Sequence, residues 1–165
     1  MTRPILNIAD IEYRNWGHGE PFAAQLGAIS LRIGAQKLGY NVTVVPPGKR
    51  AFPIHNHRVN EEMFFVLEGE GEIRVGSERH AIRRGDVIAC PPGGLETAHQ
   101  IINTSPSIEL KYLAVSTTLS PEVVDYPDSG KFGVRVELPP GADGEPRMFR
   151  YIGRAGGTVD YWDGE

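Results

Sequence analysis
His55, His57 and Glu62 have metal-binding side chains, spaced so that one ion could join them. They stand in the stretch His55-Asn56-His57-Arg58-Val59-Asn60-Glu61-Glu62. An extended strand turns residues i and i+2 to the same face, with Cα atoms ~7 Å apart. His55 and His57 therefore project together, and two imidazoles at that separation can converge on one ion. Glu62 follows a short turn, at the head of the apolar run Met63 to Leu67. Strand alternation lets only one of Glu61 and Glu62 point inward. With Glu62 inward, Phe64 and Val66 line the same wall. Pro53 lacks a backbone N–H, so the ligand strand is expected to enter at an edge or a bulge.

A second stretch, Gly85 to Asn103, contains Pro91, Gly93, Glu96 and His99. Together the two stretches resemble the paired motifs of the cupin superfamily. The first motif is His-x-His, four residues, Glu, six residues and Gly, met here by His55, His57, Glu62 and Gly69, with the leading Gly48 offset by one residue. The second is Gly, five residues, Pro-x-Gly, then His, three residues and Asn, met by Gly85, Pro91, Gly93, His99 and Asn103. Five residues separate Gly93 from His99 where two are usual, which reads as a three-residue loop insertion, and Glu96 takes the unshifted position. The resemblance covers roughly residues 40–116.

The resemblance implies an all-β fold, the double-stranded β-helix or jelly-roll barrel. It implies one divalent metal ion held by His55, His57, Glu62 and His99, with Glu96 as the alternative to His99. Three neutral imidazoles and a carboxylate suit Fe, Mn, Ni, Co, Cu or Zn. Four protein ligands leave open positions on an octahedral ion, as catalysis needs. Glu96 and the non-ligand oxygen of Glu62 are the candidate catalytic bases. Within the superfamily the chain resembles small single-domain cupins described as sugar-phosphate-isomerase-like or mannose-6-phosphate-isomerase-like. The segments Tyr126 to Lys131 and Tyr161 to Glu165 carry that narrower likeness.

The elements that must position these residues read as short strands. Val42–Val45, Met63–Leu67, Glu72–Val75, Arg79–Ile82, Val87–Cys90, His99–Ile102 and Ile108–Val115 alternate with Gly- and Pro-rich turns. Such spacing predicts a β-sandwich or barrel. We expect one domain over 1–165, with its barrel core at about 40–116, an N-terminal extension over 1–39 and a Pro/Gly-rich C-terminal extension over 119–165. Pro21 to Leu31 reads equally as a short helix or a strand. Val134 to Val136 reads as an isolated strand-like piece.

The bulk properties exclude other classes. A net charge of −4 over 165 residues lacks the basic footprint of a nucleic-acid partner. No apolar run approaches the ~20 residues of a membrane helix, and the N-terminus does not read as a signal peptide. The one cysteine, Cys90, permits no intrachain disulfide and reads as a core residue. A cytoplasmic protein with a small-molecule ligand is expected. Sheet edges that need cover predict a homodimer.

Several residues read as bystanders. His18 and His80 carry no expected role, Asn103 reads as structural, and Trp16, Phe64, Phe65 and Tyr112 read as core. Lys49, Arg50, Arg58 and Lys111 are either solvated or candidates to meet an anionic substrate. Three functional readings remain: an isomerase or epimerase, a non-haem Fe(II) dioxygenase, and a non-catalytic binding or sensor module. A phosphorylated substrate needs an Arg or Lys at the barrel mouth. A Phe-, Ile- and Val-rich lining favours the dioxygenase.

Overall fold
The computed structural model describes residues 3–165. The chain forms strands β1 (Arg14–His18), β2 (Phe22–Ala28), β3 (Leu38–Val45), β4 (Asn56–His57), β5 (Glu62–Glu68), β6 (Glu70–Val75), β7 (Glu78–Arg83), β8 (Val87–Cys90), β9 (His99–Ile102), β10 (Leu110–Thr117), β11 (Glu122–Tyr126), β12 (Lys131–Leu138) and β13 (Arg147–Arg154). The helical elements among the described residues are single 3-10 turns of three or four residues. None is long and apolar enough to cross a membrane. Pro21–Leu31, open between helix and strand in the sequence, resolves mainly into β2.

One sheet runs β1-β2-β3-β10-β5-β8. Facing it are the sheets β7-β6-β9 and β13-β12-β11-β4, which meet where His55 bridges His99. This is a jelly-roll barrel with antiparallel sheets. Alternation explains its inside. Phe64 and Val66 on β5, and Leu110, Tyr112 and Ala114 on β10, turn toward Ile73 on β6 and Ile101 on β9, and all of them are buried. Gly69 turns the chain between β5 and β6 with φ of +80°, and a Cβ there would lie 2.2 Å from the Glu109 carbonyl oxygen. Only glycine meets both demands.

The flanks are built into the sheets. The N-terminal segment buries Ile11 and Ile29 against Val42, with Leu67 and Leu113 of the first sheet's outer face packed on them. Gly27 permits this approach, because a Cβ there would meet the Ile11 side chain at 2.3 Å. The C-terminal segment supplies β11, which pairs with β4, the strand of His57.

Leu110 is fully buried at the closed centre of the core. Leu110→Ala is expected to cost about 2–5 kcal/mol in urea unfolding, from lost burial and the cavity left behind. A cost below ~1 kcal/mol would show that the core repacks around the site.

Candidate metal centre
His55 and His99 exchange backbone hydrogen bonds: the His55 N–H donates to the His99 carbonyl at 3.2 Å, and the His99 N–H to the His55 carbonyl at 2.8 Å. This reciprocal pair sets their rings 4.9 Å apart. The His57 ring lies 5.2 Å from that of His55. Glu62 opens β5 on the opposite sheet and reaches across. Its Oε2 lies 2.9 Å from His99 Nε2, 3.5 Å from His57 Nε2 and 3.8 Å from His55 Nε2.

The other nitrogen of each ring is engaged outward. Nδ1 of His55 donates to the Pro53 carbonyl at 2.9 Å, Nδ1 of His99 to the Thr97 carbonyl at 3.2 Å, and Nδ1 of His57 to Glu122 Oε2 at 3.3 Å. Carbonyls and carboxylates only accept, so each Nδ1 carries a hydrogen, and Nε2 is left as the ring atom that meets Glu62 through either a proton or a metal ion. Lone pairs opposite a carboxylate oxygen need a cation between them, either a proton or a metal ion. Metal bonds of about 2.0–2.2 Å would set neighbouring donors about 3 Å apart, close to the spacing found. The ligand atoms of His55, Glu62 and His99 lie within 4.8 Å of one another and could hold an ion. His57 is the outlying member, joined to them through Glu62. The donor set, with each Nδ1 engaged outward, fits a divalent metal.

Glu122 is the residue that sequence reading missed. It is 3% exposed. Its Oε1 accepts from the backbone N–H groups of Arg58 and Val59, each at 3.2 Å, and of Val123 at 2.9 Å. Its Oε2 accepts from the Asn60 N–H at 2.9 Å and from the Asn60 side-chain amide, besides His57. Asp125, on the same strand, accepts from Asn56 Nδ2 at 3.0 Å and Arg58 Nε at 2.7 Å. Strand β11 thus fixes both neighbours of His57. No motif marks Glu122, about sixty residues downstream in a tail that reads as Pro- and Gly-rich.

These contacts set the protonation states. Burial, with the charge of His99 adding to it, lowers His55 to about 4. Burial also pulls His57 down, but Glu62 and Glu122 outweigh it and raise His57 above its usual value. For Glu62, burial pushes the pKa up, and the hydrogen bonds of His57 and His99 more than reverse this, holding it well below the carboxylate range. Burial likewise opposes ionisation of Glu122, and hydrogen bonds led by those of Asn60 overcome it, so its pKa is lowered. His57 is the ring of the set that favours a proton.

The centre opens on a cavity of about 130 Å³, room for roughly four waters at liquid density. Phe52, Phe64, Ile101 and Ala114 form apolar walls, while Asn41, Gln100 and Tyr112 add polar groups. Burial raises the Tyr112 hydroxyl above its usual value. Among the described residues no Arg or Lys lines this cavity, and Glu62 is its one acid.

The other sequence candidates lie elsewhere. The stretch read as an insertion forms the 3-10 turn Leu95–Thr97, whose Thr97 carbonyl orients His99. Glu96 sits on that turn, exposed, and accepts from the Gly94 N–H at 2.9 Å. It is not a wall of the cavity. Lys49 pairs with Glu20, Arg58 with Asp125 and Lys111 with Glu68. His80 is exposed beside Glu78 at 3.4 Å. Asn103 is buried and staples Val45 to Ile108, donating to both carbonyls at 2.8 Å. Burial pushes the Cys90 thiol up to about 12, so it is inert.

The family model of the cupin domain matches residues 41–116. Over that stretch, a little under half of the chain, the sequence is similar to cupin domains. An uncharacterized protein of Methanocaldococcus jannaschii is 34% identical over 73 residues, 44% of this chain and 54% of that protein. Cupincin of Oryza sativa subsp. japonica is 31% identical over 96 residues, 54% of this chain and 20% of that protein. The matched stretch thus spans about half of the archaeal relative and a fifth of the rice one. A sugar phosphate isomerase from a cupin superfamily, of Silicibacter pomeroyi, superposes with a TM-score of 0.74 at 23% identity, covering 97% of this chain and 98% of that one. The polyketide cyclase RemF of Streptomyces resistomycificus gives 0.57 at 22% identity, covering 72% and 82%. Likenesses at these identities show the cupin fold, including the flanks in the first case, and leave the reaction open.

Metal binding must displace the proton that His57 favours. Affinity is therefore expected to be full at high pH and to fall as pH drops through the raised His57 pKa, more steeply near pH 4 where His55 also protonates. Glu122→Gln is expected to weaken binding about 10–100-fold at pH 8 by freeing the His57 ring. It should also move the onset of the acid loss to lower pH. Calorimetric titration with Mn, Fe or Zn checks both; constant affinity from pH 8 to 5, or wild-type binding by the variant, would contradict them.

Proposed function
We propose that this cupin domain is a mononuclear metalloenzyme, with His55, His57, Glu62 and His99 as ligands. Its substrate is a small uncharged molecule and its reaction class is oxidation by dioxygen. The cavity wall carries this reading: Phe52, Phe64, Ile101 and Ala114 dominate it, and among the described residues no Arg or Lys lines it. An Fe(II) ion held by these residues would supply the one-electron chemistry that dioxygen requires.

The chain's own residues do the rest. Apolar walls exclude water. Asn41 Oδ1 accepts from the Thr43 hydroxyl at 2.7 Å, which holds the Asn41 side chain in place on the cavity wall. Gln100 donates to the Phe52 carbonyl at 2.7 Å and presents its side chain beside the ion site.

Sugar-phosphate isomerisation, the activity in the name of the Silicibacter pomeroyi neighbour, finds less support. Moving a proton between adjacent carbons needs a free base. Glu62 is committed to the imidazoles, Tyr112 is held neutral, and Glu96 faces away. A phosphate would meet no Arg or Lys in the cavity.

Oxygen-electrode assays on anaerobically Fe(II)-loaded protein test the proposal, using small thiols and catechols. Uptake that needs both iron and an organic substrate, and that His57→Ala abolishes, is the expected result. Interconversion of aldose and ketose phosphates without oxygen uptake would overturn it.

A further inference from the structure
A second cavity, of about 420 Å³, adjoins the segment leading to His55 and shares only Gln100 with the walls of the first. Its volume falls in the range of small-molecule sites. The N-terminal hairpin contributes Trp16 and Phe22, the loop before His55 contributes Arg50, and the C-terminal segment contributes Asp128 and Lys131. Nothing in the proposed metal chemistry uses this space.

Its charge is unbalanced. Arg50 Nε is buried without a hydrogen-bond partner. Among the described residues the guanidinium's one side-chain hydrogen bond is a long one, Nη1 to Gln100 Oε1 at 3.5 Å. It stands 5.8 Å from the Phe22 ring, and Lys131 Nζ stands 5.5 Å from the Tyr126 ring. Such contacts with aromatic rings attract a cation and leave its charge in place. Among the described residues no carboxylate lies within 4.0 Å of either cation. Asp128, the acid of the cavity, is held by Arg74 at 2.9 Å. A partly desolvated guanidinium with an unpaired N–H carries a cost that an acceptor on its other nitrogens would offset. The planar fork of Arg suits an oxyanion bidentately. Trp16 and Phe22 offer flat apolar surface to whatever carries that oxyanion.

We propose that this second cavity binds a small organic oxyanion with a planar or apolar body, the anion on Arg50 and Lys131 and the body against Trp16 and Phe22. The site is independent of the metal and of the reaction proposed for it.

Trp16 is one of two tryptophans, so a Trp162→Phe background makes fluorescence report on this cavity alone. The probes are phenyl phosphate and benzoate, with phenol as the neutral analogue and inorganic phosphate as the anion without a body. Saturable change with phenyl phosphate or benzoate is expected, weaker with inorganic phosphate and absent with phenol, and the same before and after the metal is stripped. Arg50→Gln and Lys131→Gln should each weaken binding about tenfold or more. Lys131 lies at a strand end of the C-terminal ribbon, so its variant keeps the test valid should Arg50→Gln fail to fold. Equal binding of phenol and phenyl phosphate, undiminished binding by a folded Lys131→Gln variant, or loss of binding with the metal would each overturn the proposal.

Discussion
The ring nitrogens of His55 and His99 converge on one Glu62 carboxylate oxygen, with His57 joined to them through the same carboxylate, inside a cavity with mainly apolar walls, and this convergence is the constraint on which the rest of the structure depends. The donors repel one another unless a cation stands between them. The barrel supplies the rigidity. His55 and His99 are locked by reciprocal backbone hydrogen bonds, and Glu62 arrives from the opposing sheet. Two sheets packed on a shared apolar core therefore fix a distance that no single hairpin could set. Each ring is oriented a second time through its Nδ1, so the site is defined by backbone geometry as much as by ligand identity.

The C-terminal segment has its meaning in the same constraint. Strand β11 pairs with β4 and brings Glu122 behind His57 and Asp125 behind Asn56 and Arg58. A buried carboxylate is tolerated only when its lone pairs are filled. Glu122 meets that requirement with four backbone N–H groups, the Asn60 amide and the His57 ring. The N-terminal segment works differently. It covers the outer face of the six-stranded sheet and, with the C-terminal segment, encloses the second cavity.

Much of this was legible in the sequence where the physics is local. Strand alternation placed His55 with His57 and put Glu62, Phe64 and Val66 on one wall, and the strands Val87–Cys90 and His99–Ile102 stand where the turns bound them. Pro53 marked an irregular entry, and the structure has an isolated bridge and a two-residue strand there. What stayed hidden is non-local. Glu122 meets His57 across sixty-five positions, and nothing near either residue announces the contact. Pro21–Leu31 stayed ambiguous because its pairing partners, β1 and β3, decide its form. The three extra residues before His99 became interpretable only as a 3-10 turn that returns the chain to the site. Spacing alone could not tell that Glu96 would face outward.

The proposed centre is tested most directly by X-ray absorption spectroscopy on the metal-loaded protein, which counts imidazole ligands from their multiple-scattering signature. The account predicts three imidazoles and oxygen donors at about 2.0–2.2 Å, falling to two imidazoles in His57→Ala. Two or fewer in the wild type, or an unchanged count in the variant, would contradict it.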